Sequence, residues 1–287
     1  RVATLQNKFI FCTATQVVAT DGTPGGTLPL AAIAQYAQGF GYCEMNGHVY
    51  FVLVENGQPG VWKSDGTAAG TSLIKNLSTA NIPLAYAEDM KAFDNKLYIV
   101  GAVSGQGSDL YSFDGTAGGL LQPLNLAPGS NAYPTELEVY GGRLWLLASN
   151  MTAVNLYSME PGDAAPAIVT TATDVDYATQ LAFANNRVYY ANSGMSAIHS
   201  VGVAQLQHTK LDLTDKRLPW FWNNGAPFML GLGNHIFFIA YDTLQQQQYF
   251  MSSDGTPSGT QSFAPVGSNT LHPFNARTSC GTDDEFY

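Results

Sequence analysis

Short apolar segments separated by polar, glycine-rich turns recur along the whole chain. In each repeat an apolar strand leads into a two-residue turn and then into a longer apolar strand. Pairs such as Asn46-Gly47 and Asp94-Asn95 are typical of tight β-hairpins, because these residue types tolerate positive φ. The six turns are Gln6-Asn7, Asn46-Gly47, Asp94-Asn95, Gly141-Gly142, Asn185-Asn186 and Gly233-Asn234. The repeated hairpin predicts an all-β protein.

The strand after each turn is apolar at consecutive positions rather than at alternate ones. Val49–Val52 and Ile236–Ile239 are examples. A strand with two apolar faces needs cover on both of them. We therefore expect each small sheet to be sandwiched between two neighbouring sheets.

A second motif, Asp-Gly-Thr-x-x-Gly-Thr, marks the same repeat. Complete copies begin at Asp21, Asp65 and Asp254, and a nearly complete one begins at Asp114, where Leu120 replaces the last Thr. The motif predicts a turn, since Asp accepts hydrogen bonds from amides ahead of it and Gly adopts positive φ. The first two intervals are 44 and 49 residues, and the gap of 140 residues before the last copy leaves room for two units that have lost the motif.

A unit of this length with four strands matches one blade of a β-propeller. The two decayed units are placed at Leu156–Asp163 and Ile198–Leu211. We predict one domain over residues 1–287, a six-bladed β-propeller of four-stranded antiparallel blades with the tail 267–287 acting as a clasp. The alternative is a chain cut from a longer one, since Pro273–Gly281 resembles Pro134–Gly142. The predicted blades lie at about 1–33, 40–79, 88–126, 135–171, 180–214 and 228–266.

The segment Val61–Thr71, with Trp62 ahead of the Asp65-Gly66-Thr67 turn, resembles the ELWxxDGT repeat. That repeat occurs in tandem in secreted bacterial proteins and is associated with β-propellers. The resemblance covers residues 1 to about 266 as a period and is specific at the four Asp-Gly-Thr copies. Pro59-Gly60-Val61 replaces the leading Glu-Leu, and the fourth and fifth units depart from the pattern. The resemblance implies a fold and a secreted location, but no activity.

The composition restricts the setting and the partners. Only 12% of the 287 residues are charged, and the net charge is −10 with a pI near 4.7. An acidic chain without a basic stripe is a poor ligand for nucleic acid or an anionic membrane. No run of 18 apolar residues predicts membrane insertion. Since the chain begins at Arg1 without a leader, we expect it to be the mature product of a secreted or cell-surface precursor.

The three cysteines, Cys12, Cys43 and Cys280, have no metal-ligand spacing. They are either small buried apolar residues or they include one disulfide, from Cys12 to Cys43 or from Cys12 to Cys280. The second disulfide would fasten the tail to the first blade. An odd number of cysteines leaves one thiol over.

Aromatic residues mark the links between successive blades, where propellers usually carry their function. Tyr86, Tyr133 and Tyr177 each stand nine residues before the second residue of the next turn, and Tyr36 stands eleven before its own. They either pack between blades as part of the repeat or form an aromatic rim for stacking on sugars or docking a protein.

The link before the sixth blade carries Trp220 and Trp222 in place of the repeated tyrosine. A requirement of the fold alone should recur in every blade, so these two residues favour binding over packing. The predicted ligand-binding residues are Trp220, Trp222, Tyr36, Tyr86, Tyr133 and Tyr177.

Acidic residues in the same links are candidate Ca²⁺ ligands through their carboxylate oxygens. No spacing matches a dedicated calcium loop, and Asp beside Gly or Thr is a common turn former. We therefore predict no metal or other cofactor, with Ca²⁺ as the alternative. The acidic candidates are Glu88, Asp89, Asp174, Asp176, Asp212 and Asp215.

No catalytic motif is present, and the five histidines are scattered at no ligand spacing. Glu136 and Glu138 are expected on one face of an inner strand, where paired carboxylates serve acid/base chemistry in some enzymes. Polar residues also line a propeller channel simply because it is wet. We predict no catalytic residue.

The function predicted from these patterns is a secreted or cell-surface binding module without enzymatic activity. It would contact glycan or an extracellular protein through aromatic loops, as in adhesion. The alternatives are a structural subunit of an extracellular assembly and a glycan hydrolase or lyase that uses channel carboxylates.

Overall fold

The computed structural model describes residues 3–34, 37–127, 132–149, 154–172, 181–191, 196–218 and 229–265. These residues form 25 β-strands in six sheets, with one turn of 3-10 helix at Leu77–Thr79 and no α-helix. The predicted all-β class, with repeated four-stranded antiparallel sheets, is confirmed.

The chain divides into two compact units, Arg1–Leu144 with Met159–Pro166 and Trp145–Ser158 with Ala167–Tyr287. The first three sheets belong to the first unit, and in each of them the strands follow one another in chain order. Their strands are β1 Ala3–Leu5, β2 Lys8–Cys12, β3 Gln16–Thr20, β4 Leu28–Ala32, β5 Gln38–Met45, β6 His48–Glu55, β7 Gln58–Ser64, β8 Ser72–Asn76, β9 Leu84–Phe93, β10 Lys96–Val103, β11 Asp109–Phe113 and β12 Gln122–Pro123.

The fourth and fifth sheets repeat this order, as β13 to β16 and β17 to β20. The sixth sheet differs, because β23 pairs along one edge with both β22 and β21 before β24 and β25 follow. The strands are β13 Pro134–Tyr140, β14 Arg143–Ser149, β15 Val154–Met159, β16 Ala167–Ala172, β17 Leu181–Ala184, β18 Arg187–Tyr190, β19 Ala197–Gly202, β20 His208–Asp212, β21 Lys216–Arg217, β22 Met229–Leu232, β23 His235–Asp242, β24 Gln247–Ser253 and β25 Gln261–Pro265.

The predicted two-residue turns lie between the first two strands of their sheets. Asn46-Gly47 has φ values of 52° and 71°, and Asn185-Asn186 has 50° and 53°. Two positive φ values in succession are the mark of the type I′ turn, which matches the twist of the flanking strands. Asn, Asp and Gly at these positions are therefore explained by the backbone that a tight hairpin requires.

The Asp-Gly-Thr motif forms a hydrogen-bonded turn between the third and fourth strands. Asp65 Oδ1 accepts hydrogen bonds from Thr67 N at 2.9 Å and Thr67 Oγ1 at 2.7 Å. Gly70 N donates to Thr67 Oγ1 at 3.1 Å, and Thr71 Oγ1 donates to Thr67 O at 2.6 Å. A Cβ on Gly70 would lie 2.1 Å from Asp65 Oδ1, which explains the second Gly of the motif.

The same turn forms in each complete copy of the motif, around Asp21 and Asp254. At Asp114 the carboxylate still accepts from Thr116 N and Oγ1, both at 2.9 Å. Leu120 has no hydroxyl, so the bond that the last Thr donates elsewhere is lost. In the fourth sheet Asp163 Oδ2 instead accepts from Glu160 N at 2.8 Å, at the end of the turn rather than at its start.

Continuous apolar strands are buried on both faces, as the sequence predicts. On β6, Phe51 and Leu53 pack in a cluster with Ile10 and Val17 of the first sheet. The intervening Val52 packs in another cluster with residues of the third sheet. In the second unit, residues of the fifth and sixth sheets share a cluster of their own: Tyr189, Ile198, Leu211, Ile236, Phe238 and Met251.

The glycine of the Asp-Gly-Thr turn packs on the first hairpin of the preceding sheet. A Cβ at Gly115 of the third sheet would lie 2.8 Å from Met45 Cε of the second, and one at Gly255 of the sixth sheet would lie 2.6 Å from Tyr189 Oη of the fifth. In the fourth sheet, Gly162 N donates to Asp94 Oδ2 of the third at 2.9 Å. Consecutive sheets within each unit are therefore joined by a turn of one and a hairpin of the other.

Candidate functional site

Inner strands of three consecutive sheets, β5, β9 and β13, lie side by side in the first unit. Gly41 of β5 has φ 56°, and a Cβ there would lie 2.3 Å from Met90 N of β9, so only glycine permits this approach. Cys43, Lys91 and Glu138 occupy the same position on these strands, three residues before the hairpin turn. The result is a row of polar side chains across the three strands.

Lys91 and Glu138 form an ion pair within this row. Lys91 Nζ lies 2.9 Å from Glu138 Oε1 and 2.8 Å from Oε2, and both side chains are partly exposed. Glu136 has φ 30°, and it and Glu138 are both partly buried, on either side of the buried Leu137. The sequence gives no sign of either feature, because the partner of Glu138 lies 47 positions away.

Tyr86 lies on β9 rather than in a link, since β9 begins at Leu84 and not near residue 88 as predicted. Its ring is 47% exposed, and its hydroxyl donates a hydrogen bond to Glu88 Oε2. The pKa of Tyr86 is raised above its usual value, mainly because part of the side chain is buried and also because the hydroxyl is bonded to Glu88. The hydroxyl therefore stays protonated, and the exposed ring is oriented by a carboxylate.

Tyr133 directly precedes β13, with φ 41°, and is half-buried. It holds the same place in the repeat as Tyr86 but presents less of its ring to solvent. The other four predicted binding residues, Tyr36, Tyr177, Trp220 and Trp222, lie outside the described residues.

Cys12 of β2 and Cys43 of β5 are free thiols. They lie towards opposite sides of the second sheet. Cys12 packs against the cluster between the first and second sheets, and Cys43 against the cluster between the second and third. A disulfide between them is therefore not formed, and Cys280 lies outside the described residues. Burial raises the pKa of both thiols, that of Cys43 to about 12, which suits inert buried cysteines.

The described residues contain no group of three or more His, Cys, Asp or Glu that could hold a metal ion. Asp212 Oδ1 accepts from Thr214 N, as in an ordinary Asp turn, and Asp89 Oδ1 accepts from Met90 N within β9. Asp174 and Asp176 lie outside the described residues. The Ca²⁺ alternative stays a prediction.

Two of the five histidines, which the sequence leaves scattered, meet in the fifth sheet. His199 Nδ1 and His208 Nε2 lie 3.0 Å apart, and their rings stack at 5.2 Å between centroids. The buried Tyr190 stacks on the other side of His199, also at 5.2 Å. The contact between the two histidines could have been predicted from the pairing of β19 with β20. The spacing of the histidines along the sequence does not show it.

No family model matches the chain, and no curated protein matches its sequence. Solved structures match it by fold. A prolyl endopeptidase shares 11% identity over 99% of this chain and 44% of its own, with a TM-score of 0.58. Puromycin hydrolase shares 14% over 92% and 46%, with a TM-score of 0.57. A chain of the nidogen/laminin complex shares 9% over 90% and 92%, with a TM-score of 0.51.

At these identities the likeness concerns the fold alone, which is that of a β-propeller. The chain spans a little under half the length of the endopeptidase and hydrolase chains that it matches. Within the described part of the chain, no helix has the length and apolar character needed to cross a membrane.

Proposed function

We propose that this protein is a secreted or cell-surface binding module without enzymatic activity, which contacts a glycan or an extracellular protein through exposed aromatic side chains. Tyr86 carries the proposal: its ring is 47% exposed beside a carboxylate that its hydroxyl binds. An amphipathic ring of this kind offers a stacking face and a polar edge at little cost in side-chain entropy.

The ion pair of Lys91 with Glu138 favours binding over chemistry. Glu138 is held by Lys91 through both carboxylate oxygens, so it lacks the freedom of a general acid or base. The glycan hydrolase or lyase alternative would need this ion pair to open. A structural subunit of an extracellular assembly remains the second alternative.

The number of blades, the clasp and the family relationship are part of the same proposal. We infer a closed ring of six blades in one domain, clasped by residues 267–287, in a secreted protein related to the ELWxxDGT repeats. The four copies of the Asp-Gly-Thr turn and the recurrent four-stranded sheets support it.

A glycan array and an extracellular-protein panel test the function, with Tyr86→Ala and Tyr86→Phe as variants. We expect Tyr86→Ala to weaken binding by about tenfold or more, as loss of an aromatic anchor does. Tyr86→Phe should keep most of the binding that comes from the ring. Phe9→Ala is the matched control, because Phe9 is also 47% exposed but lies on β2.

Trp220→Ala and Trp222→Ala examine the other predicted anchors in the same assay. Binding that survives every aromatic substitution would contradict the proposal. Concentration-dependent self-association without any ligand would favour the structural alternative instead. Turnover of an oligosaccharide that disappears in Glu136→Gln would favour the enzyme.

A further inference from the structure

A pocket of about 280 Å³ opens on the second sheet, away from Tyr86. Its wall is formed by the outer three strands of that sheet, with Leu53 and Glu55 from β6, Gly60 and Trp62 from β7, and Leu73 from β8. The volume lies just below the range of roughly 300–1,000 Å³ typical of small-molecule sites. It suits a single small ring better than an extended chain.

Gly60 leaves room for the Leu73 side chain in the wall of this pocket. A Cβ at Gly60 would lie 2.5 Å from Leu73 Cδ1, so Leu73 lies directly against the glycine. No positive φ requires a glycine at this position. The glycine is therefore explained by the space that it leaves and not by its backbone.

Trp62 supplies an unused hydrogen-bond donor. The residue is only 9% exposed, and its Nε1–H is buried without a hydrogen-bond partner among the described residues. Phe51 stacks on the indole at 6.3 Å, and Tyr42 stacks on Phe51 at 5.3 Å, so the ring is held in place. Buried donors in native structures nearly always have a partner, and one without it calls for a ligand or water.

Polar groups around the rim complement this donor. Glu55 Oε1 accepts from Ala34 N at 2.8 Å, which fixes the carboxylate at the pocket. Asn76 Oδ1 accepts from Ser78 N at 2.9 Å, which leaves its amide NH₂ as a donor. The side-chain amides of Asn56 and Gln58 complete the rim, and no Lys or Arg lines the pocket.

We propose that this pocket binds one neutral saccharide ring. A polyol both donates and accepts: its hydroxyls can donate to the Glu55 carboxylate while its oxygens accept from Trp62 Nε1–H and the amides. Its C–H face suits the apolar wall of Leu53 and Leu73. An anion would meet a carboxylate with no compensating cation.

Leu73 is the exposed apolar side chain of the pocket wall. It pairs with Trp62 across β7 and β8 and is 45% exposed. Exposed side chains change rotamer within nanoseconds, so Leu73 moves aside as the ring enters. The pocket and Tyr86 lie on different sheets, and binding in one does not depend on the other.

The test is a titration of ¹⁵N-labelled full-length protein, followed at the indole N–H resonance that Trp62→Phe removes. The probes are glucose, galactose, mannose and N-acetylglucosamine, with acetate, n-butylamine and a triproline peptide as comparison ligands. We expect one or more of the sugars to shift the Trp62 resonance with a dissociation constant on the order of 1–10 mM, as for other ligands of about a dozen heavy atoms.

Gly60→Ala should weaken that binding about fivefold or more, because the added methyl group would displace the Leu73 side chain and change the shape of the pocket. Gly118→Ala is the matched control, since a Cβ at Gly118 meets no atom within 4 Å, and it should bind as the wild type does. Thermal unfolding of both variants separates a filled pocket from a misfolded sheet. Glu55→Gln, which keeps an oxygen for Ala34 N, should also weaken binding.

The inference is overturned if no sugar shifts the Trp62 resonance, if only a comparison ligand does, or if Gly60→Ala binds sugar unchanged. Tyr86→Ala distinguishes this result from that of the proposed function. It should leave the sugar titration at Trp62 unaltered, even where it abolishes binding on the array.

Discussion

Asp65 explains at the scale of one residue why its turn recurs along the chain. One oxygen of its carboxylate satisfies both the amide and the hydroxyl of Thr67, and Gly70 leaves the space in which the carboxylate folds back. A substitution of Asp65, Thr67 or Gly70 would remove at least one of these interactions. Selection on the turn therefore preserves the motif as a whole, which makes it visible in the sequence.

The turn also makes stability depend on pH. The pKa of Asp21, Asp65 and Asp254 is lowered below the usual value near 4. The main cause is the hydrogen bond from the hydroxyl of the Thr two residues ahead, and the second is the bond from the amide of that Thr. A carboxyl whose pKa is lower in the folded state stabilises the protein above its unfolded pKa. That contribution is lost as the pH falls through the folded pKa.

Thr67→Val should therefore make the stability of the protein depend less on pH in the acid range. The variant loses the hydroxyl that holds Asp65, so it should melt a few degrees lower than the wild type at pH 7. The difference should shrink as the pH falls through the folded pKa of Asp65, because the carboxylate then gains a proton in both proteins. Melting temperatures across this range give the measurement, and Thr67→Ser, which keeps the hydroxyl, is the control. A constant difference at every pH would contradict the prediction.

At the scale of the element, the turn of one sheet packs on the first hairpin of the sheet before it at several places within each unit. Gly255 shows how close this packing is, since Tyr189 Oη lies where its Cβ would be and donates a hydrogen bond to Asp254 O at 3.3 Å. Gly22 adopts nearly the same φ, 89° against 93°, but a Cβ there meets no described atom within 4 Å. The two glycines differ in their neighbours and not in their backbone.

Gly255→Ala should thus destabilise the protein more than Gly22→Ala. Both variants carry the cost of positive φ in a residue with a Cβ, about 1–2 kcal/mol. Gly255→Ala adds a collision with Tyr189, which costs about 1–3 kcal/mol by comparison with overpacked cores. Urea denaturation of the two variants measures the difference. Equal losses would show that the turn does not pack against the fifth sheet.

The sequence predicts strands and turns better than it predicts sites. The reason is that strands and turns depend on residues close together in the chain, whereas sites depend on distant ones. Asn46-Gly47 and the Asp-Gly-Thr turns act over a few residues, so their spacing places the strands of each sheet within a few positions. The short β21 at Lys216–Arg217 escaped because it has no apolar residue, and the start of β9 at Leu84 escaped because no turn motif marks it. Their pairing is set by the strand beside them.

The candidate sites depend on contacts between residues that are distant in the sequence. Trp62 reads as part of the repeated motif, and nothing in the sequence shows that its N–H lacks a partner. Lys91 meets Glu138 only because two inner strands lie together. Cys12 and Cys43 look equivalent as candidate bridge partners, yet the second sheet separates them. Such relations follow from the order of the sheets, which a single sequence does not specify in detail.

At the scale of the whole molecule, charge limits which partners can bind. The net charge of −10 comes from 22 acidic and 12 basic residues. Several of the basic side chains are engaged within the protein, as in the pair of Arg143 with Glu160 and the bond from Lys75 to Gly119 O. The acidic excess therefore opposes the approach of phosphate groups.

We therefore expect no binding to duplex DNA or to vesicles of anionic lipid at pH 7, even at about 50 mM salt, where phosphate contacts are strongest. Fluorescence anisotropy and vesicle sedimentation are the measurements, with neutral vesicles as the control. Binding that weakens steeply with added salt would contradict this prediction.

The docking of each turn on the preceding hairpin bears on how such a chain grows. Because one copy of the unit carries both halves of the joint, a tandem duplication in the gene supplies a new blade whose two ends already fit their neighbours. Copy number can then change in whole units without the invention of a new interface. In the fourth sheet, where the turn has diverged around Asp163, the bond from Gly162 N to Asp94 shows that the joint tolerates different chemistry in its place.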